Sequence, residues 1–428
     1  MGENSKLTKE GIGYIICNCL TKVIDVFVST FLVAYLLNIT GGNILQVGLY
    51  YTFLYLGMLF FYSLSSFFLH KVNKLIFYRT SLVLKCMFLI GIALLKESIA
   101  DYIVPVALFY SVVQGLYWSS YNIMMNEAIS SKNIQKFYGY YNIFAYITNV
   151  VAPIALGSVI EVGSFIKTAV YAVIICLLLF FTTFLLVSRK EQRSKLDFKE
   201  FFSSIKKSKK DYLMCYFSCF CNGLRNATAT VITIMIVMTF NSNLSLGSLS
   251  SIMALISVLI TLVFMKKYNL KRAKILWACL GLVIIGITGI LLKVNKTTVV
   301  LFNVLYTIAM IIPDSLYGQR RMGVVRVTKK HEFALEHNVL AEGSLNTGRV
   351  ISFSSLIVAS FFDSLNVYKI LLLVNLIAIA LYCIGTYLME KRYNKILSKN
   401  DTLRHLKEVE NDCENYYHYK DTLTKEII

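Results

Sequence analysis

The chain has 428 residues, of which 57% are hydrophobic and 16% charged, and carries a formal net charge of +19. A mean hydropathy of +0.63 excludes a soluble enzyme. Runs of roughly 20 apolar residues, the length that crosses a bilayer core, recur along almost the whole sequence.

In chain order the periodicity predicts an all-α polytopic membrane protein with twelve spans. They cover 11–37, 43–69, 77–95, 102–126, 138–160, 167–188, 212–240, 246–265, 273–293, 297–317, 338–362 and 367–389. Each must be helical, because backbone groups facing lipid need partners inside their own segment. The hydrophobicity is continuous along each span and does not alternate, which excludes a barrel. About ten polar residues lead straight into a first span too long for a signal-peptide core, so no cleavable leader is expected. Nine of the ten cysteines fall in spans and read as small apolar residues.

The Lys and Arg residues set the topology. With the N-terminus in the cytoplasm, 34 of the 43 lie on the cytoplasmic side, 5 in external loops and 4 within spans. The positive charge is therefore a topology signal, and no nucleic-acid partner is expected. Both termini are expected in the cytoplasm. The Lys, Ile and Asn bias points to a bacterial plasma (inner) membrane. The expected organisation is a six-helix bundle over 1–188, a cytoplasmic linker over 189–211, a second bundle over 212–390 and a tail over 391–428. Within the linker, Leu196–Ile205 is amphipathic at helical spacing and predicts a short helix at the membrane surface. The tail reads as a frayed helix followed by disorder.

A shift of 200 residues lays the chain on itself without a gap from the first span to the fifth. Asp25 falls on Arg225, Asn142 on Glu342, Asn149 on Arg349, and Leu116-Tyr117 on Leu316-Tyr317. Parallel duplication of a six-helix unit is a common way to build secondary transporters.

Ionisable groups at mid-bilayer cost roughly 2.5–3.5 kcal/mol on insertion scales, so they must be paired or face water. Asp25 and Lys22 share a face of the first span, with Asn222 and Arg225 at matching depth in the seventh. A carboxylate from one half facing a guanidinium from the other reads as a substrate or gating pair, or as an ion pair that only orients the halves. Glu342, Asn346 and Arg349 form one stripe on the eleventh span, and Asn142, Tyr146 and Asn149 the matching stripe on the fifth. Glu342 reads as a proton or substrate group, or as a partner of the basic segment after the tenth span. On the fourth span Gln114, Tyr117 and Tyr121 cluster at spacings of three and four; they suit a polar organic ligand, or else packing. Asp314, beside Pro313, with Arg320 and Arg321 one to two turns on, reads as a cytoplasmic gate salt bridge. Lys85, isolated in the third span, reads as snorkelling or paired.

Several stretches resemble the major facilitator superfamily. Ser65–Lys74 keeps the basic residues of that superfamily's loop after the second helix and lacks its Gly and Asp. Ser111-Val112-Val113-Gln114-Gly115 keeps the Gln-Gly of a helix 4 motif found in drug/proton antiporters and lacks its Arg. Ala152-Pro153-Ile154-Ala155-Leu156-Gly157 partly matches their helix 5 motif. Glu342–Arg349 is similar to a motif in a group of bacterial permeases. The resemblance implies two parallel six-helix halves and a transport class, and no residue role is carried over with it.

No nucleophile–base constellation, phosphate-binding loop or metal-ligand spacing appears, so neither enzyme activity nor a cofactor is expected. The expected function is secondary active transport of a small polar or charged organic solute by alternating access, with proton coupling through Asp25 or Glu342 left open. The basic residues within spans tilt the substrate toward an anion or zwitterion. The alternative is a non-transporting protein on the same scaffold, with a lipid-handling, immunity or sensor role; an occluded central cavity with every intramembrane charge mutually paired would mark it, and a lateral opening lined with apolar residues would mark lipid flipping. The lipid bilayer is the expected surrounding and a monomer the expected state.

Overall fold

The computed structural model describes residues 9–69, 71–128, 134–187, 196–266, 272–328, 333–362 and 365–399. The described chain is helical. We label the spans α1 (Lys9–Ile39), α2 (Leu45–Phe68), α3 (Lys74–Leu95), α4 (Ile103–Ala128), α5 (Ile134–Val162) and α6 (Phe165–Thr182). A linker helix follows at Phe198–Ser204. The second half contains α7a (Lys209–Leu224), α7b (Ala227–Phe240), α8 (Asn243–Lys266), α9 (Arg272–Leu292), α10 (Lys296–Val327), α11 (Ala334–Ala359) and α12 (Leu365–Lys399). Ten helices among the described residues are long and apolar enough to cross a membrane. α3 and α11, which carry three or more charged residues each, pack along neighbouring spans. The tail beyond Lys399 and the start of the linker lie outside the described residues.

Helix 1 starts, and helix 12 ends, at one face of the bundle, here called the proximal face; the opposite one is the distal face. The two halves meet along two antiparallel seams, α2 with α11 and α5 with α8. Glycines set the closest approaches. A Cβ on Gly48 would lie 2.9 Å from Ile357, and one on Gly157 2.6 Å from the Asn243 carbonyl. Shifting Gly157 and Gly247 by 200 gives positions 357 and 47, next to the Gly48–Ile357 contact, so the sequence duplication is also the symmetry of the interface. Glu161 bonds the Asn243 amide at 2.9 Å and the Ser242 hydroxyl at 3.2 Å, tying the distal end of α5 to the start of α8. The distal part of α1 packs on α7b. These contacts hold the halves together at the distal end.

Two spans depart from the regular helices expected of them. In α1 the residues Phe27–Phe31 form a π-helical segment just past Asp25. The Ser29 carbonyl accepts a 3.0 Å hydrogen bond from the Tyr51 hydroxyl of α2. The seventh span, expected to be continuous over 212–240, is broken at Arg225–Asn226. The sequence Asn222-Gly223-Leu224-Arg225-Asn226 is poor in helix formers, and Asn side chains compete for the backbone. Asn226 Nδ2 donates to the Asn222 carbonyl at 3.0 Å. Ser352 of α11 braces the break: its hydroxyl accepts from the Ala227 amide at 3.2 Å and donates to the Leu224 carbonyl. Irregular backbone at membrane depth survives only where protein supplies such partners.

Candidate functional site

The two irregular segments sit at matching depth in α1 and α7, and each adjoins an ion pair. In the first half Asp25 pairs with Lys85 of α3 at 3.2 Å. Lys85 Nζ lies 4.8 Å from the centre of the Tyr117 ring, and the Tyr117 hydroxyl reaches Thr21 at 3.4 Å. Gln114 stands beside Tyr110. Tyr121 bonds Tyr141 of α5 through their hydroxyls at 3.0 Å.

In the second half Arg225 pairs with Asp314 of α10. Its guanidinium also donates to Asn222 at 3.0 Å and to the Tyr306 hydroxyl at 3.2 Å, and stacks 4.3 Å from the centre of the Tyr382 ring. The Tyr382 hydroxyl donates to Asp314 at 2.8 Å.

The exposures are unequal within each pair. The Lys85 side chain is 1% exposed and Asp25 37%; Arg225 is 11% exposed and Asp314 47%. A carboxylate at mid-depth is not solvated by lipid, so its open side faces water. In each pair the acid is the open member, and its basic partner is held behind it.

These pairings revise the sequence expectations. Asp25 pairs with neither Arg225 nor Lys22; Asp25 and Arg225 each find their partner within their own half. Lys85 is paired. Asp314 is not part of a salt bridge with Arg320 or Arg321 at the proximal end. α10 continues to Val327, ten residues past its expected end, which places Asp314 near mid-helix. Arg320 instead pairs with Glu390 of α12 at 2.5 Å, with both side chains about 95% buried. Arg321 pairs with Glu342 at 2.8 Å, so Glu342 takes the partner from the basic segment that was its alternative reading.

Other candidates stay open. Lys22 is half-buried and has no hydrogen bond or ion pair among the described residues. Arg349 donates to Asn346 at 3.0 Å and stacks 4.7 Å from the centre of the Tyr55 ring, without a carboxylate partner among the described residues. Arg349 Nε and Asn346 Nδ2 are buried without a hydrogen-bond partner. Asn142 is exposed and Asn149 half-buried, both without a partner among the described residues. Sequence reasoning missed Tyr306 and Tyr382, which look like ordinary aromatic residues of apolar spans, and both backbone irregularities. The run of Asn, Gly and Arg at 222–226 was the available signal for the second.

A duplicated helical bundle with interrupted spans beside charged groups at mid-membrane defines the class: a multi-pass membrane transporter, not an enzyme. The chain matches the family model described as Major Facilitator Superfamily over residues 14–318, and it belongs to that family. No curated protein sequence matches it. Among solved structures it is similar to a bacterial homologue of the iron transporter ferroportin in an inward-facing state, at 14% identity and a TM-score of 0.66, covering 90% of this chain and 99% of that one. The outward-facing structure of such a homologue gives a TM-score of 0.57 at 14% identity, covering 90% and 98%. The nucleoside transporter NupG gives 0.60 at 14% identity, also covering 90% and 98%.

Proposed function

We propose that this chain moves a small charged organic solute across a bacterial plasma membrane by alternating access, with the proximal face and both termini in the cytoplasm. The observation that carries this reading is that Asp25 and Asp314 are each the exposed member of a pair whose base is buried; we read both as facing the space between the halves. Lys22 and Arg349 add cationic groups without carboxylate partners. A site that offers open carboxylates and unpaired cations suits a zwitterion: the acids receive its ammonium end and Arg349 or Lys22 its acidic end. The sequence alone favoured basic recognition because it counted Lys85 and Arg225, which are already paired. The same open carboxylates are the candidates to carry a coupled proton, in place of Glu342. The closed distal seams fit a state open toward the cytoplasm.

The similar solved proteins include an iron transporter's homologue, a metal transporter and a nucleoside transporter. A metal cargo has less support here, since no three His, Cys, Asp or Glu residues come together among the described residues. A lipid-handling role draws support from an apolar groove at the side of the bundle. That groove lies on the face of α11 opposite its polar stripe, away from the two ion pairs, so solute transport is the preferred reading.

The test is a thermal-shift screen of the purified chain against amino acids, short peptides, organic cations and organic anions. We expect zwitterions to stabilise the wild type and to lose most of that effect in Asp25→Asn and in Asp314→Asn. A solute that stabilises both variants as much as the wild type would place its site elsewhere.

A further inference from the structure

On the outer side of the α2–α11 seam lies a groove of about 550 Å³ between α2, α7a and α11. Leu213, Phe217 and Phe220 of α7a form one wall, Gly343 and Thr347 of α11 the floor, and Leu59 of α2 the far edge. Gly343 and Thr347 stand about 100° and 140° around α11 from Glu342, whereas Asn346 and Arg349 lie within about 40° of it. The groove is therefore turned away from the polar interior. On α7a, Leu213, Phe217 and Phe220 make a single helical stripe, and Cys215, Cys219 and Asn222 are buried on another face. Leu213 and Phe217 are exposed, so the groove opens to the lipid.

The proximal mouth of this groove is strongly basic. Lys209 and Lys210 precede Leu213 by one turn on the same helix, Lys206 and Lys207 come just before them, and all four are exposed. From Lys209 to Phe220 the helix rises roughly 16 Å, close to the half-thickness of a bilayer's hydrocarbon core. Any lipid-facing groove is filled by some acyl chain. A lysine cluster at its mouth adds selection for a negative headgroup, and walls on three helices add residence time.

We propose that the α2–α7a–α11 groove is a binding site for an anionic phospholipid, with one acyl chain along the Leu213–Phe220 stripe and its phosphate among Lys206, Lys207, Lys209 and Lys210. The site is separate from the solute cavity, and its occupant is not the transported solute.

Native mass spectrometry of the full-length protein, with phosphatidylglycerol and phosphatidylethanolamine added in equal amounts, tests this. The wild type should retain phosphatidylglycerol about fivefold or more in preference. The double variant Lys209→Gln/Lys210→Gln should lose the preference. Gly343→Leu should lower phosphatidylglycerol retention with the charge intact. A Cβ at Gly343 meets nothing within 4 Å, so a side chain there starts into open space. Equal retention of the two lipids, or retention unchanged in either variant, would overturn the proposal.

A second measurement works in intact bilayers. Leu213→Trp, made in a background of Trp118→Phe and Trp277→Phe, should be quenched more strongly by brominated phosphatidylglycerol than by brominated phosphatidylethanolamine. Trp277, exposed on α9, should show no difference between the two when it is the sole tryptophan. The same ratio at both positions would also overturn the proposal.

Discussion

At the scale of single residues, the ion pairs divide by exposure. Asp25–Lys85 and Arg225–Asp314 keep one member open. Arg320–Glu390 is closed on both sides, with Arg320 also 4.1 Å from the centre of the Tyr393 ring and Asn394 donating to Glu390 at 3.0 Å. Removing one member of a closed pair leaves a buried charge without its counter-charge, at a cost of about 3–5 kcal/mol. Glu390→Gln is therefore expected to lower the thermal unfolding midpoint clearly while leaving solute affinity per folded molecule unchanged. A ligand titration monitored by thermal shift reads both quantities at once. Asp314→Asn should lose solute affinity per folded molecule as well as stability, because it also leaves the buried Arg225 guanidinium without its counter-charge. A sequence lists Arg320, Arg321 and Asp314 as neighbours at helical spacing. It does not say that α12 brings Glu390 to the first of them or that the break in α7 brings Arg225 to the last.

At the scale of elements, the interrupted spans are where the backbone leaves the regular helix. Both interruptions are held from the α2–α11 seam: Tyr51 bonds the π-helical segment of α1, and Ser352 bonds across the break in α7. Tyr51 stacks on Phe353, the residue after Ser352, with 4.5 Å between ring centres. The seam therefore touches the irregular segment of each half at one level. Ser352→Ala removes a partner from one amide and one carbonyl at membrane depth, worth about 1–3 kcal/mol per orphaned group. Hydrogen exchange should show faster exchange at residues 224–228 in this variant, with little change in α8 or α9. Protection at 224–228 equal to the wild type would mean that Ser352 does not brace the break. The helices themselves were legible in the sequence because a bilayer leaves apolar segments one option. The interruptions were not, since each depends on a hydroxyl delivered by a distant span.

At the scale of the molecule, the 200-residue repeat was legible both as duplication and as a source of charge asymmetry, and it reappears in the glycine contacts of the two seams. Asp25 over Arg225 in the sequence becomes two self-contained ion pairs in space, Asp25–Lys85 and Arg225–Asp314, where a pair across the halves was expected. The physical reason is desolvation: a charge left to wait for the opposite half would be unpaired whenever the halves separate. Pairing within each half would keep the cost of separation low in the rocking cycle proposed above. The most direct measurement is the initial rate of uptake of the stabilising zwitterion into proteoliposomes, compared between wild type, Asp314→Asn and Glu390→Gln, each normalised to folded protein. Saturable uptake by the wild type, at least about tenfold slower in Asp314→Asn and nearly unchanged in Glu390→Gln, is the predicted result. Uptake by Asp314→Asn at the wild-type rate would contradict the account.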